Sequence, residues 1–131
     1  MLRVLVVGYN KMLSALISGS VYSGHKVVGA LRCDRVSYSK FTLFLKDIFA
    51  PSKDYSYIKS KNLQEIKTKS VNSKKFRDFI KKSGADLFLF GSCSEKFSIE
   101  TIETPKYGVI NCLPSLMPNH RGANRYFWQI Y

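Results

Sequence analysis

The sequence predicts an α/β fold of the Rossmann-like kind, built on a doubly wound, mostly parallel sheet. Two continuous apolar stretches, 2–8 (LRVLVVG) and 85–92 (ADLFLFGS), have the composition of strands that are buried on both faces. Segments with apolar residues at helical spacing alternate with these and with weaker strand segments. This alternation indicates βαβ units, which join parallel strands through helices.

The first half of the chain opens with such a βαβ unit. Its predicted elements are, in order, a strand, a helix, a strand, a short amphipathic helix and a loop: 2–8, 12–21, 25–31, 41–49 and 51–62. The first helix has apolar residues at helical spacing and ends at Ser23-Gly24. The last segment, PSKDYSYIKSKN, is mostly polar and is therefore predicted to be a loop.

The second half continues the alternation. Its predicted elements are, in order, a short strand, a helix, a strand, a short helix, a strand and an apolar helix: 65–67, 74–83, 85–92, 97–102, 107–112 and 124–131. Ser73 is a typical N-cap for the first of these helices, and Gly84 stands just past its end. The last helix is apolar between Tyr126 and Ile130, and the chain stops inside it without a terminating residue. We therefore expect 1–131 to be one incomplete domain whose missing C-terminal part covers this helix.

Positive charge is concentrated in the middle of the chain. The net charge is +12, and residues 32–82 contain 14 basic and 5 acidic residues. A basic surface favours polyanions, including RNA. A Lys-rich surface that is merely solvated explains the same composition.

The cysteines indicate a reducing compartment. Cys33, Cys93 and Cys112 are odd in number and have no CxxC spacing, so we expect free thiols rather than a disulfide framework or a zinc site. No segment has the length of a membrane span, and the N-terminal apolar run is too short for a secretion signal. A cytoplasmic location is the resulting expectation.

Three loops follow predicted strands at the edge of the sheet where ligands bind in doubly wound folds. They are GYNK from Gly8, GSCSEKF from Gly91 and NCLPSLMPNHRG from Asn111. The first contains one glycine of the GxGxxG pattern, and the chain has no GxxxxGK[ST] sequence. NAD, FAD and P-loop nucleotide binding are therefore excluded as predictions.

Asn111 stands at the end of a predicted strand, and it has two interpretations. It can cap the loop that follows, which is a common role for Asn. It can also donate a hydrogen bond to an oxygen that becomes negatively charged in a reaction. The residue type alone does not decide between them.

The longer string GVINCLPSLMPNHRG closely resembles the signature of formyltransferases that use 10-formyltetrahydrofolate, in particular the N-terminal, catalytic-type domain of methionyl-tRNA formyltransferase. That signature contains Asn, any residue, His, a Ser-Leu-Leu-Pro loop and Arg-Gly. The matching positions are Gly108, Asn111, Pro114, Ser115, Leu116, Pro118, Arg121 and Gly122. The resemblance is tight after Tyr107 and looser over the rest of the chain.

The resemblance implies transfer of a formyl group to an amine, with an Asn amide and a His stabilising the negative oxygen and an Asp orienting the His. Asn111 matches the Asn, but Leu113 occupies the position of the His. Leucine neither donates a hydrogen bond nor carries a proton. The Asp of the family falls beyond Tyr131, and His120 is the one nearby residue that could replace the missing His.

The resemblance also implies which residues bind the two substrates. The loop after 85–92 would bind the pterin of 10-formyltetrahydrofolate through Ser92, Cys93, Ser94 and Phe97, with Ser115 from the later loop. Core packing of Phe97 is an equally good interpretation. The candidate contacts to the acceptor are all basic: Arg32, Arg35, Lys40 and Arg121.

Three functions remain open at this point. The first is formylation of methionyl-tRNA, which the basic middle segment favours. The second is formylation of a small amine, either a nucleotide-linked amino sugar, which the aromatic segment RGANRYFWQIY favours, or glycinamide ribonucleotide. The third is a non-catalytic remnant, which Leu113 and the early end of the chain favour.

Overall fold

The computed structural model describes residues 1–8, 10–33, 45, 48–49, 53–93 and 95–113. Its elements are, in chain order, β1 (Arg3–Gly8), α1 (Asn10–Tyr22), β2 (Lys26–Arg32), α2 (Lys53–Ser60), α3 (Lys74–Ser83), β3 (Leu87–Phe90), α4 (Ile99–Ile102) and β4 (Val109–Asn111). None of the helices within these residues is long and apolar enough to cross a membrane.

The described strands form one sheet in the order β2-β1-β3-β4, and every pair in it is parallel. β1 lies in the middle, and its residues from Val4 to Gly8 are all buried. The short strand predicted over 65–67 appears as a single bridge from Glu65 to Ala30 at the outer edge of β2. The Ile66 N–H donates to the Ala30 carbonyl over 3.0 Å, so this segment extends the sheet by one residue.

Helices pack on both faces of the sheet, which confirms the predicted doubly wound architecture. Because side chains alternate along a strand, Val4 and Val6 face α1 and α2, whereas Leu5 and Val7 face α3. One core therefore contains Leu13, Ile17 and Ile58 under the first pair of helices. The other contains Phe76, Ile80 and Phe88 under α3. Both cores are needed because the central strand is apolar on both faces.

Helix α3 has the caps that the sequence predicts. The Ser73 hydroxyl accepts a hydrogen bond from the Phe76 N–H over 3.2 Å. Gly84 adopts the left-handed conformation with φ of 61° just past the helix. The two ends of this helix are therefore set by local chemistry that is readable in the sequence.

The loop predicted over 51–62 is wrong, because α2 occupies most of it. Among 57–60, the residues of this helix whose side chains the structure describes, Ile58 is buried and Tyr57 is partly buried. The helix sequence, KDYSYIKS, is mostly polar and shows little apolar periodicity. Its end did carry a signal: Asn62 has φ of 50°, and the Leu63 N–H closes the last turn by donating to the Ile58 carbonyl over 3.1 Å. Asn is one of the few residues that favour this conformation.

The remaining predictions differ mainly in length. The strands predicted over 85–92 and 107–112 shorten to β3 and β4, and the helix predicted over 97–102 shortens to α4. Of the helix predicted over 41–49, the described residues Leu45, Ile48 and Phe49 are helical, and the rest lies outside the described residues, as does the helix predicted over 124–131.

Gly8, at the end of β1, is required because the loop after β3 crosses directly over it. A Cβ at this position would lie 2.6 Å from the Gly91 carbonyl oxygen, which is main chain and cannot move aside cheaply. We expect Gly8→Ala to reduce the free energy of unfolding by about 1–3 kcal/mol, measured by urea denaturation.

The matched control for this substitution is Gly19→Ala. Gly19 lies within α1, and a Cβ added there meets no atom within 4 Å. Alanine favours a helix over glycine by about 0.5–1 kcal/mol, so the control is expected to stabilise the protein. Equal effects of the two substitutions would contradict the close approach at Gly8.

Candidate functional site

A cavity of about 390 Å³ opens at the carboxyl ends of β3 and β4, where doubly wound sheets bind ligands. Its lining among the described residues combines apolar, amide and charged side chains: Phe90, Cys93, Glu95, Lys96, Phe97, Ile102, Val109 and Asn111. Volumes of this size are typical of small-molecule sites. The cavity therefore brings together three predicted site residues: Cys93 and Phe97 from the loop after β3, and Asn111 from the end of β4.

Phe97 forms an aromatic wall of the cavity and also belongs to the core. Its ring centroid lies 4.5 Å from that of Phe90 and 5.1 Å from that of Phe88, the latter in an edge-to-face arrangement. Phe88 is fully buried and continues the contact to Phe76 beneath α3. Core packing and ligand contact are thus compatible roles for Phe97, because its ring packs against Phe88 and Phe90 while the residue still lines the cavity.

A hydrogen-bond network fixes the loop that carries Phe97. The Glu95 carboxylate accepts from the Val71 N–H over 3.0 Å, from the Asn72 amide over 3.1 Å and from the Ser70 hydroxyl. The Asn72 side chain also donates to the Lys96 carbonyl over 2.7 Å and accepts from the Ser98 N–H over 2.6 Å. Glu95 is therefore engaged in holding the loop to the turn before α3, although it lines the cavity.

Asn111 is the last residue of β4 and is exposed at the cavity. β4 is half-exposed and pairs with β3 alone among the described strands. The amide group therefore stays accessible to a ligand and bears no burial cost. The chain continues through Cys112, whose N–H donates to the Phe90 carbonyl over 2.8 Å, to Leu113, a partly buried residue outside the cavity lining.

The predicted loop residues before Phe97 are placed by an unusual backbone turn. Ser92 has φ of 60°, a left-handed conformation that is uncommon for serine, and its side chain is exposed. Cys93 follows with a half-buried thiol beside Cys33. The hydrogen bond from Cys33 lowers the pKa of the Cys93 thiol below its usual value, against the opposing effect of burial.

Arg32 requires a correction. The sequence suggested a surface contact to the acceptor, but the Arg32 side chain is 2% exposed and its Nε pairs with the Glu65 carboxylate. It is the last residue of β2, and the segment that bridges to β2 at Ala30 brings the carboxylate to it. Because the guanidinium is buried in this ion pair, it is not accessible to a phosphate group of the acceptor. Removing either partner would leave the other as an uncompensated buried charge.

Several predicted site residues lie outside the described residues: Arg35, Lys40, Ser94, Ser115, His120 and Arg121. A second cavity, of about 510 Å³, lies between the 64–67 segment and α3. Its lining is largely charged: Gln64, Glu65, Ile66, Lys67, Lys75, Asp78, Phe79 and Lys82. Part of the basic middle segment thus lines this second cavity, together with the two acidic residues Glu65 and Asp78.

Two features of the cavity at the ends of β3 and β4 were not predicted from the sequence: its apolar half and the hydrogen-bond network behind it. Val109 and Ile102 look like ordinary strand and helix residues in the sequence, and their position at the cavity follows only from the strand order. Asn72, 23 residues before Glu95, has no local feature that predicts its contact with that loop. The available signal was Ser73, a typical N-cap residue, which places a turn just before α3.

The chain is similar in sequence to folate-dependent enzymes. It is 30% identical over 131 residues to the human mitochondrial 10-formyltetrahydrofolate dehydrogenase, an alignment that covers 92% of this chain and 14% of that protein. It is 25% identical over 123 residues to the methionyl-tRNA formyltransferase of Thermotoga neapolitana, covering 94% of this chain and 38% of that enzyme. The chain thus spans well under half the length of these relatives. No model of a known protein family matches it.

Solved structures show the fold. Glycinamide ribonucleotide transformylase 1 from Symbiobacterium toebii superposes with a TM-score of 0.70 at 14% identity, covering 99% of this chain and 59% of that one. Phosphoribosylglycinamide formyltransferase from Bacillus halodurans superposes with a TM-score of 0.69 at 14% identity, covering 98% of this chain and 64% of that one. The chain therefore has the Rossmann-like α/β fold of these formyltransferase structures.

Proposed function

We propose that the cavity at the ends of β3 and β4 binds 10-formyltetrahydrofolate, and that the protein transfers the formyl group to an amine. The observation that carries the proposal is the meeting of Cys93, Phe97 and Asn111 in one cavity. The resemblance in sequence had assigned these residues to folate binding and catalysis. The fold brings them together because β4, which ends at Asn111, pairs with β3, which precedes the loop of Cys93 and Phe97.

The lining of the cavity suits a flat, partly polar ring. Phe90, Phe97 and Val109 provide apolar surface, and the Asn111 amide provides a polar contact. The Glu95 carboxylate is satisfied by the 70–72 turn, so it does not present an unpaired charge to the ring. The cosubstrate, when bound, supplies the formyl carbon.

Within this site Asn111 has the role of a hydrogen-bond donor. Its exposed amide favours acyl transfer as the reaction, because a hydrogen-bond donor stabilises the oxygen that gains negative charge as the amine attacks. Leu113 leaves the second donor and the proton carrier of such a site unfilled. The chain as it stands is therefore expected to bind the cosubstrate well and to transfer the formyl group slowly.

Methionyl-tRNA is the acceptor we propose first. The methionyl-tRNA formyltransferase of Thermotoga neapolitana is among the relatives, and residues 32–82 carry a strong positive charge. Phosphate contacts dominate the affinity of proteins for RNA. Glycinamide ribonucleotide is the second candidate, because proteins that act on it share the fold. A nucleotide-linked amino sugar and a non-catalytic binding role complete the alternatives.

The acceptor is tested by offering methionyl-tRNA, glycinamide ribonucleotide and a nucleotide-linked amino sugar with 10-formyltetrahydrofolate. Each is assayed with the natural chain and with Leu113→His. We expect methionyl-tRNA to have the highest kcat/KM, and its kcat/KM to fall steeply with salt because phosphate contacts release counterions. A preference for either small acceptor, or a kcat/KM that salt leaves unchanged, would contradict the tRNA assignment. Absence of transfer to all three with both chains would contradict formyl transfer itself.

A further inference from the structure

Two cysteines that are 60 residues apart in the sequence meet at the carboxyl edge of the sheet. The Cys33 Sγ lies 2.7 Å from the Cys93 Sγ. Cys33 directly follows β2, and Cys93 lies three residues after β3, although β1 separates these two strands in the sheet. The separation is shorter than a sulfur–sulfur van der Waals contact and longer than the ~2.05 Å of a disulfide bond.

The loop after β3 is shaped so that Cys93 can reach across β1. The Gly91 N–H donates to the Val7 carbonyl over 3.0 Å, and the Gly91 carbonyl rests on Gly8, where no side chain obstructs it. The left-handed conformation of Ser92 then turns the chain toward the end of β2. Such a conformation is unfavourable for a serine, so surrounding contacts must hold it.

The two thiols differ in access. Cys33 is 7% exposed and is buried in the core beneath α3. Cys93 is only partly buried and lines the cavity, so a small molecule in the cavity can reach its sulfur. Cys93 therefore has the access of an attacking thiol, and Cys33 is positioned as its resolving partner.

The protonation of the thiols agrees with this division. The hydrogen bond from Cys33 lowers the pKa of Cys93, which raises its thiolate fraction. Burial raises the pKa of Cys112, which lies at the end of β4. Cys112 thus provides a comparison within the same fold, as a thiol without a described sulfur neighbour and with a lower thiolate fraction.

We propose that Cys33 and Cys93 are a redox-active pair that a low-molecular-weight disulfide converts to a protein disulfide. The Cys93 thiolate attacks the small disulfide, forming a mixed disulfide and releasing one thiolate. The Cys33 thiol loses its proton to solvent, and its sulfur attacks Cys93 and releases the second thiolate. The protein loses two electrons and two protons, and the small disulfide becomes two thiols.

The bond changes the cavity, because Cys93 is one of its walls. In the reduced protein Glu95, Lys96 and Ser98 are held by hydrogen bonds to Asn72. In the oxidised protein the first part of the loop after β3 is also held covalently to the end of β2. The state of the pair therefore sets how freely one side of the cavity adjusts, whatever ligand the cavity binds.

The test is oxidation of the reduced, folded chain with oxidised glutathione, followed by alkylation of remaining thiols and peptide mapping by mass spectrometry. We expect a peptide linking Cys33 to Cys93 at roughly tenfold or more the level of either pairing with Cys112, because only the first pair is adjacent. The same reaction in urea should lose this preference. A folded chain that yields no such preference would overturn the proposal, and this readout requires no substitution.

Substitutions then assign the order of attack. In Cys33→Ser the mixed disulfide with glutathione should persist on Cys93, since nothing resolves it. In Cys93→Ser, Cys33 should remain unmodified, and Cys112→Ser should oxidise like the natural chain. Circular dichroism confirms that each variant is folded. A mixed disulfide that persists on Cys93 in the natural chain would contradict the role of Cys33.

Discussion

Replacing Leu113 by His is expected to raise the rate of formyl transfer by at least about a hundredfold, because it restores a hydrogen-bond donor and proton carrier beside Asn111. Leu113 stands two residues after Asn111, at the end of β4, and its side chain offers neither function. The measurement is kcat for transfer from 10-formyltetrahydrofolate, with the natural chain and the variant compared under identical conditions.

Two further substitutions separate the chemistry from the packing. Leu113→Met keeps an apolar side chain of similar volume and is expected to leave kcat unchanged. Asn111→Ala in the Leu113→His background is expected to lower kcat by about 10²–10³-fold, since it removes a donor to the developing negative oxygen. Equal kcat for the natural chain and Leu113→His would show that another group carries the proton, and His120 would be the first residue to substitute.

Phe88→Ala is expected to reduce the free energy of unfolding by about 3–5 kcal/mol. Phe88 is fully buried, and its ring contacts those of Phe76, Phe90 and Phe97 at centroid distances of 5.7, 5.9 and 5.1 Å. The substitution leaves a cavity between α3 and the sheet and removes the support behind Phe97. Urea denaturation monitored by circular dichroism measures the change.

The control for this prediction is Tyr22→Ala. Tyr22 ends α1 and is 94% exposed, so its removal should change the free energy of unfolding by no more than about 0.5 kcal/mol. A loss at Phe88 that is as small as the loss at Tyr22 would mean that the aromatic cluster does not stabilise the fold. We also expect Phe88→Ala to weaken ligand binding in the cavity, because Phe88 contacts Phe97, which lines it.

The predictable part of the fold was the part encoded in contiguous patterns. β1 and β3 are apolar runs because both faces of the sheet are covered, and α3 carries its own Ser and Gly caps. Helix α2 was not predicted because its sequence, KDYSYIKS, has little apolar periodicity, although Ile58 in it is buried. Its polar sequence resembles a loop, and only Asn62 marked its end.

The site divides in the same way. Asn111, Cys93 and Phe97 were predictable because a continuous motif and a strand-end loop contain them. The buried pair of Arg32 with Glu65 was not, since an arginine after a strand reads as a surface charge until its partner 33 residues away is known. The contact between Cys33 and Cys93 likewise depends on the loop that crosses β1, which no local pattern reveals.

An NMR titration tests whether the cavity at the ends of β3 and β4 is the folate site that we propose. The probe is 5-formyltetrahydrofolate, a stable relative of the proposed cosubstrate, added to the ¹⁵N-labelled chain. We expect saturable shifts concentrated in the amides of 90–97 and 109–112, and we expect Phe97→Ala to weaken the binding. Shifts concentrated instead around Glu65, Ile66 and α3, or no saturable shifts at all, would contradict the proposal.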